Sequence, residues 1–316
     1  MEKREIGASG VLVHPFCLGG NVFGWTISEE ESFKILDAFV DAGFDFIDTA
    51  DVYSSWAPGN KGGESETIIG NWLKKSGKRN KVTIATKVGK PMGSGKKGLS
   101  KKYIDEAVED SLRRLQTDHI DLYQSHYDDK ETPLAETLEA FTGLIKQGKV
   151  RAIGASNYDG IRLKEALQVS NENGLAAYQC LQPEYNLYER AYYERELEPV
   201  CRERGLGVIT YYSLASGFLT GKYRSEDDLS KSDRGHGVKK YLNRRGYKIL
   251  SALDKVAGTY NTTRATIALA WVMARPGITA PIASATSTDQ LKELTAAANI
   301  RLDSEAVSLL TKASSY

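Results

Sequence analysis

Cysteine is scarce in this chain, and its cysteines lie far apart. Cys17, Cys180 and Cys201 are an odd number without the close Cys or His spacing of a zinc site. A disulfide framework and a structural metal are therefore not expected. Neither is needed, because a chain of 316 residues can bury a large core. We expect a reducing compartment, the cytoplasm.

Excess charge of either sign and long hydrophobic runs are also missing. Lysine and arginine number 42, against 41 aspartates and glutamates, which argues against a general polyanion binder. No window approaches the roughly 18 apolar residues of a membrane span, and the charged start lacks the apolar stretch of a secretory signal. We therefore expect a small-molecule partner, and neither nucleic acid nor a membrane.

The common nucleotide-binding and metal-binding motifs are absent as well. The Gly-rich segment 89–98 has no glycine five residues before Gly95-Lys96, and Lys97 stands where a phosphate loop carries Ser or Thr. No G-x-G-x-x-G follows the first strand, so a Rossmann site is not supported. The four histidines show no metal spacing, and we expect no metal.

The chain does contain a regular alternation of short apolar runs and longer amphipathic stretches. It opens with a predicted hairpin over residues 4–13, continues with about eight strand-then-helix units, and closes with predicted helices at 289–297 and 304–312. Short Val/Ile-rich strands between helices indicate a parallel sheet covered by helices. We expect residues 1–316 to form one α/β domain, a (β/α)8 TIM barrel with an N-terminal β-hairpin and closing C-terminal helices. A doubly wound open sheet is the alternative.

Four chemically distinct side chains follow consecutive predicted strands. Asp48 and Tyr53 come after the second strand, Lys87 after the third and His126 after the fourth. The loops after barrel strands meet at one face. A phenol with its ordinary pKa of about 10 donates poorly at neutral pH, and a nearby ammonium is expected to lower that pKa. With Asp48 fixing Lys87 and His126 orienting a carbonyl oxygen, the pattern predicts a general-acid site for reducing C=O.

The motifs around these residues resemble those of the aldo-keto reductases over essentially the whole chain. Residues 46–53 (FIDTADVY) are similar to the family's first signature, and its Asp, Tyr, Lys and His tetrad maps onto the four side chains above. The chain is also similar to the potassium-channel β-subunits of this family. The resemblance implies that an aldehyde or ketone, such as a sugar or another small carbonyl compound, is reduced to the alcohol. The hydride would come from NAD(P)H and the proton from Tyr53, without a metal.

The resemblance also implies which residues hold the cofactor. Besides Asp48, those around the ribose, the nicotinamide and its carboxamide are Gly20, Asn21, Val22, Ser156, Asn157 and Gln179, with Tyr211 stacking on the ring. Those around the pyrophosphate, in a long predicted loop over residues 213–238, are Ser213, Leu214, Gly217, Leu219, Gly221 and Lys222. Those of the adenosine segment are Ala285, Thr286, Ser287, Gln290 and Glu293.

The substrate pocket is expected to be aromatic. Phe23, Trp25 and Trp56 lie on loops beside the catalytic residues and are predicted to line it. The residues after His126, namely Tyr127, Asp128 and Asp129, are expected to add polar contacts.

The family resemblance favours NADP(H) over NAD(H). Many NADPH-dependent members carry Lys or Arg in the adenosine segment to pair with the 2′-phosphate, whereas this sequence has Ser284, Thr286 and Gln290 there. A 2′-phosphate favours charge-assisted partners. Hydroxyls and backbone amides can also bind a phosphate, and Lys222, Arg224 or Arg234 is expected to reach it from the long loop.

Two alternatives to the reductase remain at this point. One is a cofactor-binding, redox-sensing accessory protein with little turnover, like the channel β-subunits. The sequence shows no extended segment before the hairpin, which favours the enzyme. The other is a barrel aldolase with Lys87 as Schiff base, which leaves Ser156, Asn157 and Tyr211 unexplained. We expect a monomer by default, with an oligomer left open.

Overall fold

The computed structural model describes residues 2–93, 95–232 and 235–316. Its strands are Arg4–Glu5 (β1), Leu12–Val13 (β2), Cys17–Gly19 (β3), Phe46–Asp48 (β4), Thr83–Val88 (β5), Ile120–Ser125 (β6), Val150–Ser156 (β7), Cys180–Gln182 (β8), Gly207–Thr210 (β9) and Ile278–Ala283 (β10). Strands β3 to β10 are parallel and close into a barrel in chain order, with β10 paired to both β9 and β3. The predicted (β/α)8 barrel is confirmed, and the open sheet is wrong.

Helices follow the strands and surround the barrel. The α-helices are Glu29–Asp41 (α1), Glu64–Ser76 (α2), Lys101–Leu115 (α3), Leu134–Lys146 (α4), Gly160–Asn173 (α5), Glu198–Arg204 (α6), Arg244–Thr259 (α7), Arg264–Met273 (α8), Thr288–Ala296 (α9) and Ser304–Ala313 (α10). A capping box begins α1, as Ser28 followed three residues later by Glu31 predicts: Ser28 accepts from the Glu31 amide, and Glu31 accepts from the Ser28 amide. Among the described residues, no helix is long and apolar enough to cross a bilayer.

The segment between β9 and α7 is more structured than its polar composition suggested. It contains 3₁₀ turns at Ala215–Thr220, Glu226–Lys231 and Gly235–Tyr241. Arg234, expected as a phosphate partner, lies outside the described residues.

The hairpin of β1 and β2 closes the amino-terminal end of the barrel. Its apolar side chains Ile6, Val11 and Val13 pack onto a layer of inward-facing side chains, one from each barrel strand: Cys17, Phe46, Ala85, Leu122, Ala152, Cys180, Ile209 and Ala280. All of these are buried, and most of the strand residues are small. The barrel interior is therefore a packed core rather than a pore.

One strand differs from its prediction in a way that affects the site. The apolar run at residues 177–180 predicts a strand there, but β8 spans Cys180–Gln182. The bounds of β8 are set by its pairing with the neighbouring strands. Residues 180–182 pair with β7, and residues 180–181 pair with β9. The residue at the carboxyl end of β8 is consequently Gln182, and Gln179 precedes the strand.

Candidate active site

A polar layer lies directly above the apolar layer inside the barrel. Successive side chains of a strand point to opposite faces, so the residue two positions after each inward apolar residue also points inward. This places Asp48 after Phe46, Lys87 after Ala85, Gln124 after Leu122 and Gln182 after Cys180. We call Asp48, Lys87, Gln124 and Gln182 the polar layer. All four are buried at the carboxyl end of the barrel.

Two glycines of the same level leave room for this layer. A Cβ on Gly19 would approach Ser284 Oγ to 2.6 Å, and one on Gly154 would lie 3.1 Å from Gln124 Cγ and 3.2 Å from the Cys180 carbonyl oxygen. Contacts this short displace the neighbouring atoms. Glycine at these two strand positions therefore leaves space for the neighbouring side chains.

Lys87 joins the members of the predicted catalytic tetrad. Its Nζ donates to Asp48 Oδ2 at 2.7 Å, to the Thr49 carbonyl oxygen at 2.8 Å and to Tyr53 Oη at 2.9 Å. Asp48 is held in turn by Gln182, whose Nε2 donates to Oδ1 at 2.9 Å. Lys87 and Asp48 are 0% and 1% exposed, so the ion pair is buried away from bulk solvent. Hydrogen bonds to Lys87 and to Asp48 fix its geometry.

The pKa of Tyr53 is shifted in the direction opposite to the expected one. Burial raises the pKa of Tyr53 to about 12, although the neighbouring Lys87 ammonium acts in the opposite direction. The prediction that Lys87 lowers this pKa below its ordinary value is therefore wrong, because it considered the charge and not the desolvation of the phenolate. Burial disfavours the Lys87 ammonium too, but Asp48 and Tyr53 outweigh it and raise the pKa of Lys87. At neutral pH the site thus contains a neutral phenol beside a charged lysine.

His126 completes the tetrad from the loop after β6. Its ring centroid lies 6.1 Å from that of Tyr53. Burial, together with the ammonium groups of Lys87 and Lys90, lowers the pKa of His126 well below its usual value, so the imidazole is neutral. A neutral imidazole has one N–H to donate, which suits it to a carbonyl oxygen held next to Tyr53.

The residues predicted around the carboxamide are brought together, with one exception. Ser156 Oγ donates to the Gln182 carbonyl oxygen at 2.9 Å, and Asn157 Nδ2 donates to the His126 carbonyl oxygen at 2.9 Å. Tyr211 Oη donates to Asn157 Oδ1 at 2.7 Å. Asn157 has a positive φ of 57°, a strained backbone conformation of the kind that collects at functional sites.

The exception is Gln179, which lies at the other end of the barrel. Its Oε1 accepts from the Ala8 amide of the hairpin at 3.1 Å, and its Nε2 donates to the Ala177 carbonyl oxygen. The assignment of Gln179 to the carboxamide is therefore wrong, because β8 begins one residue after it. Gln182 is the glutamine of β8 that reaches the site.

The loop after β9 has an unusual backbone. Positive φ angles occur at Tyr212 (50°), Ala215 (49°), Ser216 (56°), Gly217 (92°) and Gly221 (78°). Turns of this kind point successive N–H groups toward one concave side and bind anions. Of the predicted residues here, Ser213 and Leu219 are buried, Leu214, Gly217 and Gly221 are half-buried, and Lys222 is exposed. The amides of Ala215, Gly217, Leu219 and Gly221 donate to carbonyl oxygens within the loop, so the loop would contact a pyrophosphate through its other amides.

Two arginines near this loop, Arg224 and Arg264, form ion pairs with Asp254. Arg224 Nη2 lies 3.0 Å from Asp254 Oδ2, so its charge is already paired. Arg264, which the sequence analysis missed, also pairs with Asp254. A Cβ on Gly221 would lie only 2.7 Å from its Cδ, so Arg264 runs along the loop. The sequence marks Arg264 as the first residue of α8, after the Thr263 cap, but does not show that it lies beside this loop.

The adenosine segment connects β10 to α9. Ser284 Oγ donates to Asn21 Oδ1 at 2.5 Å, which joins this segment to the loop after β3. Gln290 Oε1 accepts from the amide and the hydroxyl of Thr286, both at 3.0 Å. Thr286, Ser287, Gln290 and Glu293 are exposed, whereas Ala285 and Val22 are buried. Gly20 donates its amide to the Asp48 carbonyl oxygen at 2.7 Å.

Comparisons with known proteins agree with this geometry. A model described as the aldo/keto reductase family matches residues 15–315. The chain is 38% identical over 318 residues to the Bacillus subtilis oxidoreductase YrpG, covering 98% of this chain and 95% of the relative. It is 34% identical to the aldo-keto reductase YhdN of Bacillus subtilis, covering 95% and 88%. It is 32% identical to a probable voltage-gated potassium channel subunit beta of Oryza sativa, covering 93% and 90%.

The chain belongs to the aldo/keto reductase family. The oxidoreductase names of its relatives support an oxidoreductase here. Members of the family generally use NAD(P)H. In the described part of the chain, no group of three or more His, Cys, Asp or Glu side chains could hold a metal ion.

An aromatic rim surrounds the reductase tetrad. Trp25 and Trp56 make an edge-to-face contact with ring centroids 5.5 Å apart, and Trp56 contacts Tyr53 at 6.0 Å. On the other side, Tyr127 stacks on His126 with centroids 5.5 Å apart. Trp56 is 46% exposed and Tyr127 is 43% exposed. These rings form an aromatic rim beside Tyr53 and His126, where the sequence predicted an aromatic pocket.

Three other predicted substrate contacts are wrong. Phe23 is fully buried in the main core and does not reach the rim. Asp128 Oδ1 lies 2.9 Å from Arg162 Nε in an ion pair. Asp129 accepts from the Leu99 amide and from Thr132 Oγ1, both at 2.7 Å. These two carboxylates shape the loop after His126, and the sequence could not show that partners from distant segments occupy them.

Proposed function

We propose that this chain is an NAD(P)H-dependent oxidoreductase that reduces an aldehyde or ketone to the alcohol. The observation that carries the proposal is the Lys87 ammonium, which joins Asp48 and Tyr53 in a buried site beside His126. That arrangement serves proton transfer to an oxygen atom. A bound NAD(P)H supplies a hydride there. The aldolase reading would need an uncharged Lys87, and the raised pKa of this lysine disfavours it.

Tyr53 holds the proton that the new alcohol requires. As negative charge develops on the carbonyl oxygen, the phenol gives up its proton to that oxygen. Lys87, at 2.9 Å from Tyr53 Oη, stabilises the phenolate left behind. Asp48 keeps the lysine in place and charged. His126 donates its N–H to the carbonyl oxygen and orients the substrate.

The residues present fit a dinucleotide along the carboxyl face of the barrel. Ser156 and Asn157 offer polar groups beside the tetrad, and the positive-φ loop after β9 offers amides for the pyrophosphate. We favour NADP(H) over NAD(H). Lys222 is exposed, with its Nζ 4.9 Å from the ring centroid of Tyr223, so one cation of this loop is available for a 2′-phosphate. Arg264 runs along the same loop but is paired with Asp254.

A titration of intrinsic fluorescence with NADPH and, separately, with NADH tests the cofactor. Saturable binding with a lower Kd for NADPH is expected. Tighter binding of NADH would contradict the NADP(H) preference, and binding of neither would contradict the proposed function. Consumption of the bound cofactor with a panel of aldehydes and ketones then tests the reaction.

The second candidate is a redox-sensing accessory protein that binds cofactor with little turnover. It is favoured by the relative named as a probable potassium channel subunit beta. Tight cofactor binding with negligible turnover across the panel would support this candidate and refute the reductase. We expect turnover, with a small carbonyl compound as partner rather than nucleic acid or a membrane. We also expect a monomer, which sedimentation can check.

A further inference from the structure

Lys90 is a half-buried lysine at the mouth of the active site. It follows β5 by two residues, on the barrel face that carries Tyr53 and His126. Among the described residues, no carboxylate oxygen lies within 4.0 Å of its ammonium. Its Nζ lies 5.1 Å from the ring centroid of Tyr127. Burial and the nearby Lys87 lower the pKa of Lys90, as expected for a cation without a counter-charge.

Tyr127 connects Lys90 to the reacting centre. The ring of Tyr127 stacks on that of His126, with an interplanar angle of 25°. The ammonium of Lys90 contacts the same ring as a cation–π pair. Lys90 and His126 therefore both lie against the ring of Tyr127.

The acidic side chains nearby do not neutralise this lysine. Asp48 is paired with Lys87 and Asp128 with Arg162, and Asp129 accepts from the amides of Leu99 and Glu131. Burial and the proximity of Glu66 raise the pKa of Asp51 well above its usual value, and Asp51 makes no ion pair with Lys90 within 4.0 Å. Among the described residues, Lys90 is thus left without a direct carboxylate partner, and its charge attracts anions.

We propose that Lys90 forms an anion subsite, so that the substrate is an aldehyde or ketone bearing a carboxylate or phosphate several bonds from the carbonyl. This inference rests on the proposed function. An ammonium pairs with either anionic group as a compact charge. The aromatic face of Tyr127 supports the carbon chain between the two ends. The positive subsite discriminates by charge, while Tyr53 and His126 act on the carbonyl alone.

Two matched substrate pairs test the subsite. One pair is 4-formylbenzoate and its methyl ester, and the other is D-glyceraldehyde 3-phosphate and D-glyceraldehyde. The readout is the ratio of kcat/KM for the anionic member to that for the neutral member. In the wild-type protein we expect a ratio above one in at least one pair. Lys90→Met should lower that ratio about tenfold, mainly through KM, whereas Lys90→Arg should keep most of it.

A matched control removes a positive charge elsewhere. Lys164 is exposed on α5, and Lys164→Met should leave the ratio as in the wild type. If only one pair shows the preference, that pair identifies the anionic group. If the wild type reduces both members and Lys90→Met leaves the ratio within about twofold, the subsite is wrong and the proposed function stands. If the wild type reduces no member of either pair and no compound of the carbonyl panel, the proposed function itself fails.

Discussion

Replacing Asp48 with asparagine should destabilise the fold because it leaves a buried ammonium without its counter-charge. Lys87 Nζ and Asp48 Oδ2 are 2.7 Å apart, and at an effective dielectric constant of about 20 their attraction is roughly 6 kcal/mol. Two bonds of the ammonium survive the change, to the Thr49 carbonyl oxygen and Tyr53 Oη. We therefore expect a loss of about 3 to 4 kcal/mol in the free energy of unfolding at pH 7.

The loss should depend on pH in a defined direction. In the wild type the pKa of Lys87 is raised, so its stabilising contribution is present below the unfolded value of about 10.4 and is lost as the pH rises through the folded value. In Asp48→Asn, burial without the carboxylate should lower this pKa. The variant then regains stability as the pH rises toward about 10, and the gap to the wild type narrows.

Urea denaturation at pH 7 and near pH 10 measures both effects. The double variant Asp48→Asn/Lys87→Met should be more stable than Asp48→Asn alone, with a coupling energy of about 2 kcal/mol or more. As a control, Asp105→Asn breaks an exposed pair with Lys101 on α3 and should cost under about 0.5 kcal/mol. A loss below about 1 kcal/mol in Asp48→Asn, or additive single variants, would refute the reasoning.

Two further predictions concern the chemistry of the site. Gln182→Leu removes the donor that holds Asp48 and should lower kcat about tenfold with little change in KM, whereas Gln179→Leu at the far end of the barrel should leave kcat within about twofold; equal effects would contradict the placement of β8. Because the pKa of His126 is lowered well below its usual value and that of Tyr53 is raised to about 12, kcat/KM for reduction should be flat from about pH 6 to about pH 9; a fall with an apparent pKa near about 7 would show that a protonated histidine is required.

The tetrad could be predicted from the sequence because strand geometry is local. Once Phe46 and Ala85 are recognised as inward-facing strand residues, the period of two places Asp48 and Lys87 on the same side. The barrel then brings the two strand ends together. Tyr53 and His126 follow predicted strands as well, and both match the tetrad of the family that the sequence resembles.

Contacts between distant segments could not be predicted. The end of β8 depends on its pairing with β7 and β9, so the choice between Gln179 and Gln182 was not visible in the run that contains both. The use of Asp128 by Arg162 and of Asp129 by Leu99 depends on loops that the sequence does not show as neighbours. The pKa of Tyr53 required the degree of burial, which outweighed the charge that the sequence did show.

Single-turnover reduction by Tyr53→Phe tests the central claim most directly, because the change removes only the phenolic hydroxyl that Lys87 contacts. We expect the rate to fall by about a thousandfold or more, while the Kd for NADPH from fluorescence titration changes by less than about threefold. Tyr247→Phe, at an exposed position of α7, should match the wild type in both measurements. A Tyr53→Phe variant that reduces the same carbonyl compound within about tenfold of the wild-type rate would contradict the account.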